Sequence, residues 1–440
     1  MTDTGAAPKL LLGEELVSPL HPVYDGLSAD APVREAVMPE GYRVWLVTRY
    51  DEARAVLADT RVAKDMYRAG ELYTRHTGHE RPIIGGALTQ HMLNFDPPDH
   101  TRLRTLVNKA FTARMVERLR PAIEELTDEL LDDLAGRDHA DLVWDYAFPL
   151  PISVICLLLG VPREDRPLFR TWARQQAELL DPESAEAVTD EMARYLTGLI
   201  RRKRAQPADD LLTALIQARD NDDRLNETEL VGMAYLLLKA GFETTVNLIG
   251  SGVLRLLCNP DQLAALRADP ALLPGAVEEL LRYEGPAVMS MLRFTTEPIT
   301  VGGIPIPAGE FILVSMRAAN RDPAQYPDPE RFDITRNATG HLGFGHGIHY
   351  CVGAPVGRLE AQIAIGRLLA RFPDLALATA PEDLVWMEAT LLRGLLGLPV
   401  SLGRAAPAAD RTPPVRHDGP EAHHSTPDKS PWYTRRTRST

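Results

Sequence analysis

The chain has 440 residues, 45% of them hydrophobic, and a formal net charge of −13. That apolar content can fill a large core, and the acidic balance excludes nucleic acid as the main partner, because phosphate binding needs a basic face. With only Cys156, Cys258 and Cys351 available, a disulfide framework is excluded too. The first residues lack a signal peptide's layout and no apolar run reaches membrane-spanning length, so the expectation is a cytoplasmic protein without a membrane anchor.

In chain order, Tyr42-Arg-Val-Trp-Leu-Val-Thr48 reads as a strand and Tyr50-Asp-Glu-Ala-Arg-Ala-Val-Leu57 as a short helix. From about Pro97 to Pro286 the pattern is mostly helical, broken at Gly160-Val-Pro162 and Asn259-Pro260. Strand signals return at Ile299-Thr-Val301, at Gly309 to Met316 and at Leu391 to Leu402. The mixture predicts a mainly α fold with small β-sheets, as one domain over residues 1–404. Residues 405–440 hold six prolines and no apolar periodicity, and read as a disordered tail.

Four segments carry candidate chemistry. Asp96-Pro-Pro-Asp-His100-Thr-Arg-Leu-Arg104 places His100 and Arg104 four apart on one helical face, an arrangement suited to a carboxylate or phosphate. The segment from Leu230 to Leu257 predicts a buried helix on the order of 40 Å long, apolar nearly all round. Its middle carries Gly241, Glu243, Thr244 and Thr245, costly choices for a buried helix. Thr244 can bond back to the carbonyl of Ala240, which predicts a local opening of the helix. In Glu278-Glu279-Leu-Leu-Arg282, Glu279 and Arg282 share a face, and the later Arg331 could complete a carboxylate–guanidinium cluster. Finally, Phe344-Gly-His-Gly-Ile-His349-Tyr-Cys351-Val-Gly353 sets one cysteine in a glycine-rich loop just before a helix start. That position favours a thiolate, as an axial ligand of haem iron requires.

These four segments, in this order, closely resemble the cytochrome P-450 family of haem-thiolate monooxygenases, especially its soluble actinobacterial members. Leu46-Val-Thr-Arg-Tyr-Asp51, Asp96-Pro-Pro-Asp-His100 and the loop at Phe344 carry the likeness to that branch, and the resemblance covers about residues 15–403. It implies the P-450 fold, with a long central helix on the distal side of a buried haem b. Cys351 would be the axial ligand, Phe344 would pack beside its sulfur, and Gly347 and Gly353 would shape the loop. His100, Arg104, Arg293 and His349 would hold the haem propionates, and Ala240 and Gly241 would line the dioxygen groove. Glu243 and Thr244 would be the acid–alcohol pair that delivers protons, and Glu279, Arg282 and Arg331 the structural triad.

The resemblance further places Val288, Met289, Leu391 and Leu392 near the haem, which with Phe242 would form an apolar pocket. Phe242 could instead pack away from it. Hydroxylation or epoxidation of a hydrophobic natural product (a polyketide or macrolide, terpenoid or steroid) is the expected reaction. Aryl coupling or desaturation at the same site is the alternative, and a non-catalytic haem-binding protein a third reading. Electrons would come from a separate ferredoxin and its reductase, docking near Cys351 through residues such as Arg104, Lys109 or Arg358. Arg170 and Arg174, in a lid region, could meet polar substituents, although solvation is the favoured reading. A monomer is expected.

Overall fold

One helix, Glu227–Cys258, is the axis on which the other elements are assembled. The computed structural model describes residues 10–11, 31–38, 40–79, 86–178, 182–218, 223–387 and 389–407. The expected tail beyond 407 therefore lies outside the described residues. The axial helix starts with a capping box: the Asn226 side chain accepts from the Glu229 amide, and the Glu229 carboxylate accepts from the Asn226 amide. It is buried on most sides, as its sequence predicts, and stops at Asn259, where Pro260 opens the next helix.

Glycines decide what approaches this axis. A methyl group at Gly232 would meet the carbonyl oxygen of Gln90 at 2.4 Å, so the turn Gly86–Thr89 can rest directly on the backbone there. At Gly241 it would meet Ile155 Cδ1 at 2.5 Å, in the helix Pro149–Leu158. At Gly252 the facing atoms are Leu280 Cδ1 and Ile365 Cδ1, at 3.0 and 3.2 Å. These belong to the helices Leu273–Glu284 and Ala354–Arg371. Contacts this close bring helices to the near limit of packing distance.

The largest sheet has six strands in the order Leu10–Leu11, Val33–Val37, Arg43–Val47, Phe311–Val314, Arg293–Thr295 and Val62–Ala63. Val33–Val37 and Arg43–Val47 pair antiparallel, with Val33 opposite Val47. Arg43–Val47 runs parallel to Phe311–Val314, with Trp45 opposite Ile312. At the edge, Ala63 lies opposite Phe294, which sets Lys64 and Arg293 beside each other at the strand ends. A three-stranded sheet joins Ala376–Leu377, Pro399–Ser401 and His139–Asp141. The strand expected over Leu391–Leu402 is thus confined to Pro399–Ser401; the earlier part makes only the isolated bridges Ala287–Leu392 and Trp386–Leu395.

The carboxylate–guanidinium cluster differs from the expected triad in one member. Glu279 and Arg282, fully buried, form a bidentate pair at 2.6 and 2.8 Å. Arg331 does not join them: its guanidinium turns out to solvent and pairs with Asp333 at 3.0 Å, leaving only its carbonyl to accept from Arg282. Arg336 takes that place. Its Nε lies 3.4 Å from Glu279 Oε1, and its other nitrogens donate to the carbonyls of Pro327, Asp328 and Arg331. A buried carboxylate faced by two guanidiniums loses heavily when one is removed, whereas an exposed pair contributes little. Replacing Arg336 by Met is therefore expected to cost on the order of 2 kcal/mol of unfolding free energy. Arg331→Met should cost less than about 0.5 kcal/mol. Denaturant unfolding of the two variants measures the difference.

Candidate active site

The cysteine loop is held by its backbone. Gly345 and Gly347 have φ of 73° and 75°, a region that side chains other than glycine rarely adopt. A methyl group on Gly347 would also meet the Leu57 carbonyl oxygen at 2.6 Å, so the loop is pressed onto the end of the helix Tyr50–Ala58. The Cys351 amide donates to the Phe344 carbonyl at 3.0 Å. Gly353 has ordinary helical φ, and a methyl there would touch Cys351 Sγ at 3.7 Å. Its contribution is space beside the sulfur.

Desolvation pushes the Cys351 thiol above its ordinary pKa, against the pull of the Gly353 and Ala354 amides and the Arg104 and Arg358 guanidiniums. The helix start and the nearby guanidiniums thus favour the charged form of the sulfur while desolvation opposes it, and coordination to a metal ion would displace the thiol proton.

Behind the loop, Arg358 stacks on the Phe344 ring at 4.6 Å and donates two hydrogen bonds to Glu278, at 2.6 and 2.9 Å. His341 meets the same carboxylate at 3.2 Å. Arg358 is therefore paired with Glu278 while its side chain stays partly exposed. Of the other expected docking residues, Arg104 donates to the Tyr350 carbonyl at 2.8 Å, and Lys109 is exposed.

A group of buried and half-buried basic side chains lies beside this loop. His100, from the helix Asp99–Ala110, and His349, from the loop, have ring centroids 4.2 Å apart. Both nitrogens of His100, Nε2 of His349 and Nε of Arg293 are buried without hydrogen-bond partners. Burial pushes His100 down to about 4 and Arg293 to about 10, and drives His349 far below the usual imidazole range. Neighbouring positive charges add to the shifts of both histidines. Sequence reasoning missed two members. Lys64 is buried beside Arg293, and burial followed by that guanidinium pushes it down to about 7. His91 is buried with Nδ1 unpartnered, and burial lowers it to about 4.

On the axial helix, Thr244 Oγ donates to the Ala240 carbonyl at 2.9 Å and Thr245 Oγ to the Gly241 carbonyl at 3.0 Å. The helix nevertheless runs unbroken through this turn, so the expected opening is not formed. Glu243 and Thr244 are half-buried, Ala240 is exposed, and Lys239 lies 3.6 Å from the Glu243 carboxylate. Gly241 presents its Cα to Ile155, where a side chain would collide. Phe242 packs away from the site, edge-on to Phe148 at 6.1 Å within the main core.

The expected pocket segments are joined to one another. Val288 donates to the Leu391 carbonyl at 3.0 Å, and Arg393 to the Pro286 carbonyl at 2.8 Å. Val288 and Met289 are buried, while Leu391 is exposed. Behind them the buried Glu284 accepts from Arg393 Nε at 2.5 Å, Arg255 Nε at 2.7 Å and Arg317 at 3.2 Å. Burial alone would raise this carboxyl, but the surrounding guanidiniums hold it well below the usual range. One charge thus pins both segments to the axial helix. In the expected lid helix Arg166–Glu178, Arg170 donates to Ser153 Oγ at 3.2 Å and Arg174 lies over the Trp144 ring at 5.4 Å.

A cluster of unpartnered cationic donors beside an accessible sulfur fits a flat cofactor bearing both carboxylates and a thiolate-seeking metal. The family comparison agrees. Residues 180–384 match the family model described as cytochrome P450. Cytochrome P450 107B1 of Saccharopolyspora erythraea is 52% identical over 403 residues, covering 91% of this chain and 99% of that protein. The 6-deoxyerythronolide B hydroxylase of the same organism is 46% identical over 86% of this chain and 95% of its own length. Among solved structures, the tirandamycin C-bound P450 monooxygenase TamI superposes with a TM-score of 0.81 at 49% identity, covering 90% of this chain and all of that one. The chain belongs to the cytochrome P450 family of haem-thiolate monooxygenases. No described helix is long and apolar enough to cross a membrane.

Glu278 gives the proximal brace a pH dependence. Burial alone would raise its carboxyl, but hydrogen bonds from Arg358 and His341 lower it from 4.5 to about 2. A carboxyl depressed by folding stabilises the fold above its unfolded value, and that stabilisation is lost as pH falls through the folded value. Between pH 4.5 and about 2 the wild type should therefore lose stability more steeply than Glu278→Gln, as thermal melts across that range would show.

Proposed function

We propose that this P450 binds haem b with Cys351 as its axial ligand and inserts one oxygen atom into a hydrophobic polyketide or macrolide. The observation that carries the reading is the set of buried, unpartnered donors on His100, Arg293 and His349 next to the Cys351 loop. These residues, with Arg104, would hold the haem carboxylates. Once bound there, the haem supplies binding and reductive activation of dioxygen, chemistry that no side chain in the chain can perform.

What the chain itself contributes is positioning and proton control. Thr244 has a hydroxyl already aligned by the Ala240 carbonyl, so its oxygen is free to accept from a water. Glu243, half-buried and paired with Lys239, can pass protons inward from the surface. Val288, Met289 and Leu392, fixed by the Glu284 cluster, provide apolar surface that excludes water and orients the substrate carbon. The names of two relatives support the substrate class, one a 6-deoxyerythronolide B hydroxylase and one bound to tirandamycin C. In this reading the chain acts as a monomer and receives its electrons from a ferredoxin and its reductase.

With a macrolactone substrate, a ferredoxin, its reductase and NADPH, the product should gain the mass of one oxygen. Thr244→Ala should lower product formed per electron consumed by about tenfold or more, with haem content unchanged. A product lighter by two hydrogens would overturn the oxygen-insertion reading. Unchanged coupling in Thr244→Ala would remove the threonine from proton delivery.

A further inference from the structure

Lys64 is a buried, chargeable side chain that the proposed reaction leaves without a task. It follows the edge strand Val62–Ala63, and its residue is only 6% exposed. A lysine so deep normally has a carboxylate partner. Among the described residues its ammonium meets no carboxylate within ion-pair distance, and its sole hydrogen-bond acceptor is the thioether of Met291 at 3.7 Å. Nearby Asp96 spends its carboxylate on the backbone, accepting from the amides of Lys64 at 3.0 and 3.1 Å and of Asp65 at 2.9 Å. That bond fixes the turn and so fixes where the lysine side chain leaves the sheet.

The strand register explains where the ammonium goes. Ala63 pairs with Phe294, so Lys64 and Arg293 project from neighbouring strand ends. The charge of Lys64 is felt by His91, His100 and His349, which places it within the same buried cluster. A ligand with two carboxylates would give the Lys64 ammonium the acidic partner that Asp96 does not, since the Asp96 carboxylate is held by backbone amides.

We propose that Lys64 is a further ligand of the haem carboxylates, with His91 packed beside it, and that the anionic edge of the cofactor is held from the sheet as well as from the four motif residues. The inference rests on haem occupying this site. Lys64 is a binding residue in this account and takes no part in proton delivery.

Transfer of haem from the holoenzyme to apomyoglobin tests it. Lys64→Met, which keeps the length and removes the charge, should release haem about tenfold faster, and Lys64→Arg should stay within about threefold of wild type. After reconstitution with haem dimethyl ester, whose carboxylates are masked, wild type and Lys64→Met should release the cofactor at the same rate. Equal release of natural haem by wild type and Lys64→Met would overturn the proposal. So would a Lys64→Met defect that persists undiminished with the diester, since that would mark a role in the fold alone. Should Lys64→Met fail to fold, Lys64→Gln carries the same comparison. The carbon monoxide spectrum of the reduced wild type separates this test from the reading beneath it, because a thiolate-type band there depends on Cys351 and not on Lys64.

Discussion

Lys64, His100 and Arg293 are buried and His349 is half-buried, and each has unused donors or, among the described residues, no carboxylate partner. Such a cluster is self-repelling and poorly solvated, and it persists only if the rest of the fold enforces it or a ligand neutralises it. Much of the architecture serves that enforcement. The six-stranded sheet delivers Lys64 and Arg293 side by side, the helix Asp99–Ala110 delivers His100, and the glycine-bearing loop delivers His349 two residues before Cys351. A cofactor with two carboxylates and an electrophilic metal satisfies the cations and the sulfur together.

The same logic accounts for the two rigid braces. Glu279 with Arg282 and Arg336 anchors the segment leading to the cysteine loop, and Glu278 with Arg358 and His341 holds the loop from behind. Glu284 does the equivalent on the other side, tying the segments around Val288 and Leu392 to Arg255 on the axial helix. In each case one buried or half-buried carboxylate organises several donors from distant parts of the chain. Charge is concentrated where position must be fixed, and the apolar core supplies most of the remaining stability.

Much of this was legible in the sequence because it depends on local spacing. The cysteine loop, the axial helix, the Glu279–Arg282 pair and the His100 helix all rest on residues a few positions apart. What escaped depends on long-range placement. Arg331 and Arg336 are five residues apart in an irregular meander, and only the three-dimensional path decides which guanidinium turns inward. The resemblance left open whether Phe242 lines the pocket or packs away, and helical geometry decides it by pointing the ring at Phe148. Lys64 lies in an ordinary strand end, and its significance follows from the pairing of Ala63 with Phe294, which no local pattern reveals. The thiol illustrates a competition of effects: the amides and guanidiniums near Cys351 favour the thiolate, and desolvation opposes them.

The central claim is that this cluster and this sulfur bind one cofactor, with Cys351 on the iron. The carbon monoxide difference spectrum of the reduced protein tests it most directly. The wild type should show the red-shifted Soret band of thiolate-ligated haem, and Cys351→Ser should lose it. Absence of that band from folded, haem-loaded wild-type protein, or its survival in Cys351→Ser, would contradict it.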